Sequence, residues 1–239
     1  MADSSAVAEA ISDLVAANRI LANEGVLDGF GHVSVRHPAK GDTYLVSRSI
    51  APALVGAADV LELDFDNRAV HAKDRDARLY YERWLHGEIY KARADVNAIV
   101  HSHSPTVVPF ASTKAPLRPL LHNASFLGFG APIFEIRTVV RNSDLMISSA
   151  PLAKAMVGAM GSACVVLLRG HGNVVVGAGL PQVVFRSVYT EINARLQAQA
   201  MALGPVTYLD PEEARRAESS IAGTLGRPWE LWRKKALGR

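Results

Sequence analysis

The stretch Ile99-Val100-His101-Ser102-His103-Ser104-Pro105 places two histidines two residues apart at the end of an apolar run. In an extended strand, side chains at i and i+2 leave the same face, so His101 and His103 can aim both imidazoles at one point. Neutral imidazole is the commonest metal-ligating side chain. Taken alone, such a pair fits a hydrogen-bonded core pair as well as a metal site. His171 adds weight to the metal. It sits between two glycines in Leu168-Arg169-Gly170-His171-Gly172, where the backbone can bend sharply and approach other chain closely. Three histidines and an open coordination position are what a catalytic divalent ion needs.

Glu82 lies upstream in a segment expected to be helical from about Arg78 to Ala94, with Tyr81, Leu85 and Ile89 as its apolar positions. A carboxylate among Tyr80, Tyr81 and Trp84 is expected to have a raised pKa, which suits general acid–base work. The other roles open to it are metal ligand and ordinary solvated surface group.

The elements that must carry these residues follow from periodicity and punctuation. Helical spacing runs from about residue 5 to 24, with Gly25 as its stop. A glycine-flanked turn at Asp28-Gly29-Phe30-Gly31 leads into a short strand from His32 to Arg36. Tyr44–Ser47 and Val60–Asp64 read as strands, with a hairpin turn at Asp66-Asn67. Asn97–His103 is a strand, followed by a helix after Pro105. His122–Ala131 is glycine-rich and expected to form a loop over the site. A helix over Pro151–Met160, a strand over Ala163–Leu168, and a strand over Val174–Gly177 follow, the two strands joined through the Gly170-His171-Gly172 turn. Pro181–Ala202 is a long helix, and Pro211 to about Leu225 is expected to be the last full one. Short turns between successive strands imply one α/β domain with a largely antiparallel or mixed sheet.

Composition bounds the function. The chain has 239 residues, 49% hydrophobic and 21% charged, enough for a sizeable core in one domain. The net charge of +3 is small and gathers at Arg233-Lys234-Lys235 and Arg239. That run reads as a solvated terminal helix, or else as a rim attracting an anionic substrate. No basic stripe interleaved with aromatics points to nucleic acid. Cys164, the single cysteine, reads as a buried core residue. No apolar run approaches membrane-spanning length, so a cytoplasmic protein is expected. Trp229 and Trp232 are expected to pack the terminal segment onto a neighbouring surface or to help close the pocket. Tyr189 is a further residue that could reach the site.

In this order, the residues resemble the class II aldolase and adducin head-domain superfamily. The matching stretches run from about residue 6 to 200. They are Gly31-His32-Val33-Ser34-Val35-Arg36, Glu82 with Leu85-His86, Ala94-Asp95-Val96-Asn97-Ala98-Ile99-Val100-His101-Ser102-His103, and Leu168-Arg169-Gly170-His171-Gly172. The resemblance implies one divalent ion per subunit (zinc, manganese, magnesium or cobalt) on His101, His103 and His171. It implies a catalytic Glu82, a metal ligand in some members. It also implies a single three-layer α/β/α domain over residues 1–239 with a helical tail from about 205, a mixed, mostly antiparallel sheet, and homotetramers with active sites between subunits.

Departures from the sugar-phosphate aldolases narrow the expectation. Those enzymes carry asparagine where this chain has His32. They have a Thr-Pro-Ser-Gly turn where it has Ser47-Arg48-Ser49-Ile50, and paired serines where it has Tyr80-Tyr81. Compact phosphate donors are lost and aromatic faces gained, which suits a planar ring, while Arg48 suits a carboxylate. The chain is thus most similar to the metal-dependent decarboxylases of hydroxylated aromatic or pyridine dicarboxylates. Tyr81–Tyr90 and Pro116-Leu117-Arg118-Pro119 followed by His122 carry that similarity. The expected substrate is a small anion held by Arg48, His32, Ser47, Tyr81 and His122, with Glu82 as the acid that protonates the ring carbon. The alternatives are an aldolase acting on a non-phosphorylated hydroxy-carbonyl compound and a non-catalytic adducin-like module. The complete ligand set opposes the latter.

Overall fold

A computed structural model describes residues 2–238. The strands are β1 (His32–Arg36), β2 (Thr43–Ser47), β3 (Val60–Asp64), β4 (Ala98–Ser102), β5 (Ile133–Phe134), β6 (Val165–Leu168) and β7 (Gly172–Gly177). They form one seven-stranded sheet in the order β3-β2-β1-β4-β7-β6-β5. Every pairing is antiparallel except β5 with β6. The helices are α1 (Ala2–Asn23), α2 (Trp84–Ala92), α3 (Val108–Ser112), α4 (Ala150–Met160), α5 (Leu180–Leu203), α6 (Pro211–Ala222) and α7 (Gly226–Leu237). α1, α5 and α7 pack together on one face of the sheet, and α2 and α4 together on the other. This is the expected mixed, mostly antiparallel α/β architecture.

Register brings the chemistry to one place. His32 on β1 pairs directly with His101 on the central strand β4, and Ser34 pairs with Ile99. The two-residue period puts His32, Ser34 and His101 on one face of the sheet. α2 lies over that face and delivers His86 and Tyr90 to Ser34. One hydrophobic core runs from Leu14 on α1 through the sheet to Trp232 on α7.

Several elements differ from expectation. The helix expected from Arg78 begins only at Trp84, after a 3-10 turn at Tyr81–Arg83. Tyr80 is extended because its hydroxyl is drawn to the Ile50 carbonyl at 2.9 Å. His122–Phe129 is a 3-10 segment packed against α6 and α5, not a loop over the site, and Ser125 there donates to Glu218 of α6. The helix after Pro211 stops at Ala222, and α7 follows it with both tryptophans buried against the core. Arg233 is tied to Asp13 and Ser12 of α1, so the basic tail is partly engaged with the chain itself. Cys164 is buried, as expected. No helix among the described residues is long and apolar enough to cross a membrane.

Gly87 sets how closely α2 approaches the β3 hairpin. A Cβ there would lie 2.3 Å from the Phe65 carbonyl oxygen and 2.7 Å from the Asn67 amide nitrogen. Gly87→Ala is therefore expected to destabilise the protein by roughly 1–3 kcal/mol, the cost of forced overpacking. Urea denaturation measures this, and an unchanged midpoint would show that α2 is free to shift.

Candidate metal centre and cleft

His101 is the penultimate residue of β4, His103 lies just beyond the strand, and His171 occupies the β6–β7 turn. Their Nε2 atoms converge: His103 is 3.2 Å from His101 and 3.0 Å from His171. The Glu82 Oε2 atom joins them, 3.2 Å from His101 and 3.3 Å from His171. All four ligand atoms lie within 4.8 Å of one another. Atoms bound to one ion at about 2.1 Å stand about 3.0–3.4 Å apart at adjacent corners of an octahedron or tetrahedron, so the spacing fits.

The hydrogen bonds on the outer side of the rings explain why these nitrogens face inward as acceptors. His101 Nδ1 donates to the Asn173 carbonyl at 3.1 Å, and His171 Nδ1 donates to the Leu145 carbonyl at 2.9 Å. Each bond places the ring hydrogen on Nδ1 and leaves a lone pair on Nε2, the tautomer a metal requires. Glu82 is anchored through its other oxygen, which accepts from the Ile147 backbone N–H at 2.9 Å. Leu145–Ile147 thus holds two of the four ligands. Leu145 pays a backbone cost for this, with φ at 72°. Beside His171, Gly170 takes φ 68°, and a Cβ on Gly172 would stand 2.0 Å from the Ser102 carbonyl. Only glycine lets that turn lie against the β4 end, between His101 and His103.

Electrostatics follow from this crowding. Burial pushes the Glu82 carboxyl upward, but facing His101 and His171 outweigh it and hold the group well below the usual carboxylate range. This corrects the expectation of a raised pKa: the histidines, not the aromatic neighbours, decide. Burial, reinforced by His101 and His171, lowers His103 to about 4. Burial also opposes the charged form of His171, yet contact with Glu82 raises it overall. The donor set, three neutral-capable imidazoles and one carboxylate, suits a divalent cation.

A cleft of about 410 Å³ opens over this cluster, lined by Phe30, His32, Arg78, Tyr80, Tyr81 and Met146 with Glu82, His101 and His103. Phe30 and Tyr81 are 69% and 75% exposed at its rim. Arg78 is exposed and makes no side-chain hydrogen bond or ion pair among the described residues. Arg48 does not line the cleft; its guanidinium is bound to Asp59 at 2.7 Å. Ser47 is buried behind Tyr80, 2.9 Å from the phenol oxygen. His122 is exposed on the 3-10 segment outside the cleft lining, and Tyr189 packs on Phe185. The expected site residues are thus divided: His32 and Tyr81 line the cleft with Glu82, His101 and His103, His171 joins the cluster from the β6–β7 turn, and Arg48, Ser47 and His122 do not reach the cleft. Phe30, Arg78 and Met146 escaped the sequence reading, although Gly29-Phe30-Gly31 marks a tight turn that exposes its central side chain.

Residues 12–198 match the family described as Class II Aldolase and Adducin N-terminal domain. The chain belongs to this family. A decarboxylase, tropJ, of Talaromyces stipitatus is 34% identical over 235 residues, covering 89% of this chain and 88% of that protein. A 3,4-dihydroxyphthalate decarboxylase of Arthrobacter keyseri is 31% identical, covering 78% and 76%. The L-fuculose 1-phosphate aldolase of Glaciozyma antarctica superposes with a TM-score of 0.82 over 99% of this chain and 92% of its own, at 22% identity, which shows a shared fold. The protein is therefore a class II aldolase-family enzyme with decarboxylases among its relatives.

Loss of one imidazole from the class II aldolase-type cluster should weaken Zn²⁺ or Mn²⁺ binding by more than the about 10–100-fold typical of losing an outer partner. Calorimetric titration of chelator-treated His101→Ala checks this; wild-type affinity would contradict it. Wild-type affinity should also fall as pH is lowered, because the proton favoured on His171 must leave for a metal to bind.

Proposed function

We propose that the protein is a divalent-metal-dependent decarboxylase, a carbon–carbon lyase, acting on an ortho-hydroxylated aromatic or pyridine dicarboxylate. The observation that carries this is the three-histidine, one-carboxylate cluster at the base of a cleft walled by aromatic rings and edged by an uncommitted arginine. The decarboxylase relatives support it. An aldolase of phosphorylated sugars would call for compact phosphate donors where Tyr80 and Tyr81 stand.

His101, His103 and His171 would hold the ion, with Glu82 beside it, and when bound the ion would supply a Lewis acid for the oxygen on which negative charge gathers. The chain's own residues do the rest. Phe30, Tyr80 and Tyr81 offer flat apolar faces to a planar ring. Arg78 pairs with the carboxylate that is retained, a role the sequence reading gave to Arg48. Glu82, anchored by the Ile147 amide and ionised at rest, takes the proton of the ring hydroxyl. Cleavage of the ring–carboxylate bond releases CO2 and leaves its electron pair on the ring carbon. The Glu82 carboxyl then returns the same proton to that carbon, so the group is base first and acid second.

The same proposal includes a homotetramer with interfacial sites, in the cytoplasm. Exposed Phe129, Val139 and Val140 are apolar surface that a neighbouring subunit would cover, and lone Cys164 needs no oxidising compartment. Light scattering should give four chains per particle; a monomer would refute the assembly.

A panel of ortho-hydroxy aromatic and pyridine dicarboxylates, offered to the metal-loaded protein, tests the activity. CO2 release is expected from at least one member and should vanish in His101→Ala. Arg78→Ala should raise KM for that dicarboxylate by about 10–100-fold, the worth of a charged hydrogen-bonded pair. Silence across the panel alongside cleavage of an aldol substrate would replace the decarboxylase by an aldolase.

A further inference from the structure

Behind the cleft lies a buried file of polar groups that the reaction outlined above does not use. His32 Nδ1 is 2.6 Å from His86 Nε2, His86 Nδ1 is 2.7 Å from Ser34 Oγ, and Ser34 Oγ is 2.8 Å from the Tyr90 hydroxyl. All four residues are buried: none is more than 3% exposed. The file begins at His32, which lines the cleft beside Tyr80 and pairs across the sheet with His101. It ends at Tyr90, whose ring lies against Phe65 on one side and under the Arg36 guanidinium.

The end of the file sets its direction. Among the described residues, the Tyr90 hydroxyl has one partner, Ser34. A buried phenol that did not donate there would leave its hydrogen unpaired, at a cost of about 1–3 kcal/mol. Tyr90 therefore donates to Ser34. Ser34 has a single hydrogen, and with Tyr90 already donating, that hydrogen goes to His86 Nδ1. His86 accepts at Nδ1, so its own hydrogen is on Nε2, facing His32 Nδ1. Two hydrogens cannot share a 2.6 Å contact, so His32 Nδ1 is bare and accepts. The remaining hydrogen of His32 is on Nε2, the ring atom left for the cleft. The opposite direction would orphan the Tyr90 hydrogen, and a doubly protonated His32 would clash with His86.

We propose that the file Tyr90–Ser34–His86 locks His32 as its Nε2–H tautomer, making it a fixed hydrogen-bond donor to an anionic oxygen of the substrate beside the metal centre. This rests on the assignment of the cleft to a hydroxy-aromatic carboxylate. His86, Ser34 and Tyr90 are positioning residues, and only His32 touches substrate. His101 and His171 are protonated on Nδ1 and His32 on Nε2, so neighbouring rings have opposite tautomers for opposite tasks. The first two accept a cation and the third donates to an anion.

Neutron diffraction from deuterium-exchanged crystals of the zinc-loaded protein reads the lock directly. Deuterons are expected on His32 Nε2 and His86 Nε2, with the Ser34 deuteron directed at His86. A deuteron on His32 Nδ1 overturns the lock. Calorimetry with 2-hydroxybenzoate as probe then reads the donor. His32→Phe, with its zinc content checked as wild-type, should bind the probe about 10–100-fold more weakly, as expected for a lost hydrogen bond to a charged oxygen. His32→Asn, which restores an N–H, should recover most of the affinity. Undiminished binding by His32→Phe with full zinc overturns the substrate contact. If no panel member releases CO2 while the deuterons and the His32 variants behave as stated, the decarboxylase assignment falls and the locked donor stands.

Discussion

The arrangement depends on one unfavourable closeness. Three imidazole nitrogens and a carboxylate oxygen, each presenting a lone pair, are held 3.0–3.3 Å from their neighbours in a largely buried place. Without a cation or a shared proton between them, these groups repel, and the low dielectric of the interior sharpens that repulsion. The scaffold must therefore impose the convergence. β4 supplies His101, the chain just past its end supplies His103, and the glycine turn lets His171 lie against the strand end. Leu145 takes a strained backbone to turn its carbonyl onto His171, while Ile147 grips Glu82 two residues later. Strain stored next to a ligand set is consistent with a site that is completed by what it binds.

The surroundings of the cluster divide the labour. The rings of His101 and His171 are fixed as acceptors by backbone carbonyls behind them. His32, one strand away, is fixed as a donor by a hydroxyl file behind it. The same device, an outer hydrogen bond choosing the tautomer, thus serves two opposite ends. Above this floor, the lining separates one family chemistry from another. Tyr80 is fastened to Ser47 and Ile50, so its ring is a fixed wall. Tyr81 and Phe30 are open at the rim, and Arg78 in the same lining makes no side-chain hydrogen bond or ion pair among the described residues.

The central part of this was legible in the sequence because it depends on short-range geometry. The His101–His103 spacing, the glycines flanking His171, the β3 strand at Val60–Asp64 and the Asp66-Asn67 turn are local signals, and each appears where its period or turn chemistry puts it. What escaped was decided by partners distant in sequence. Arg48 and Arg78 look equally suitable as anion binders, and only the fold shows that Asp59 has claimed the first. The Glu82 environment looks apolar in sequence, yet His101 on β4 and His171 in the β6–β7 turn reverse the direction of its pKa. A hydroxyl contact with the Ile50 loop holds Tyr80 extended and delays the start of α2. The segment at His122 is rich in loop-forming residues, but its packing on α6 takes it outside the cleft lining.

The claim that these side chains form one metal centre is tested most directly by anomalous diffraction from crystals of the protein loaded with zinc or manganese, recorded at the metal's absorption edge. The account predicts a single strong peak per chain at about 2.0–2.2 Å from Nε2 of His101, His103 and His171, with Glu82 at or next to its coordination sphere. A peak elsewhere, or a cluster that stays empty while the protein is saturated with metal, would contradict it.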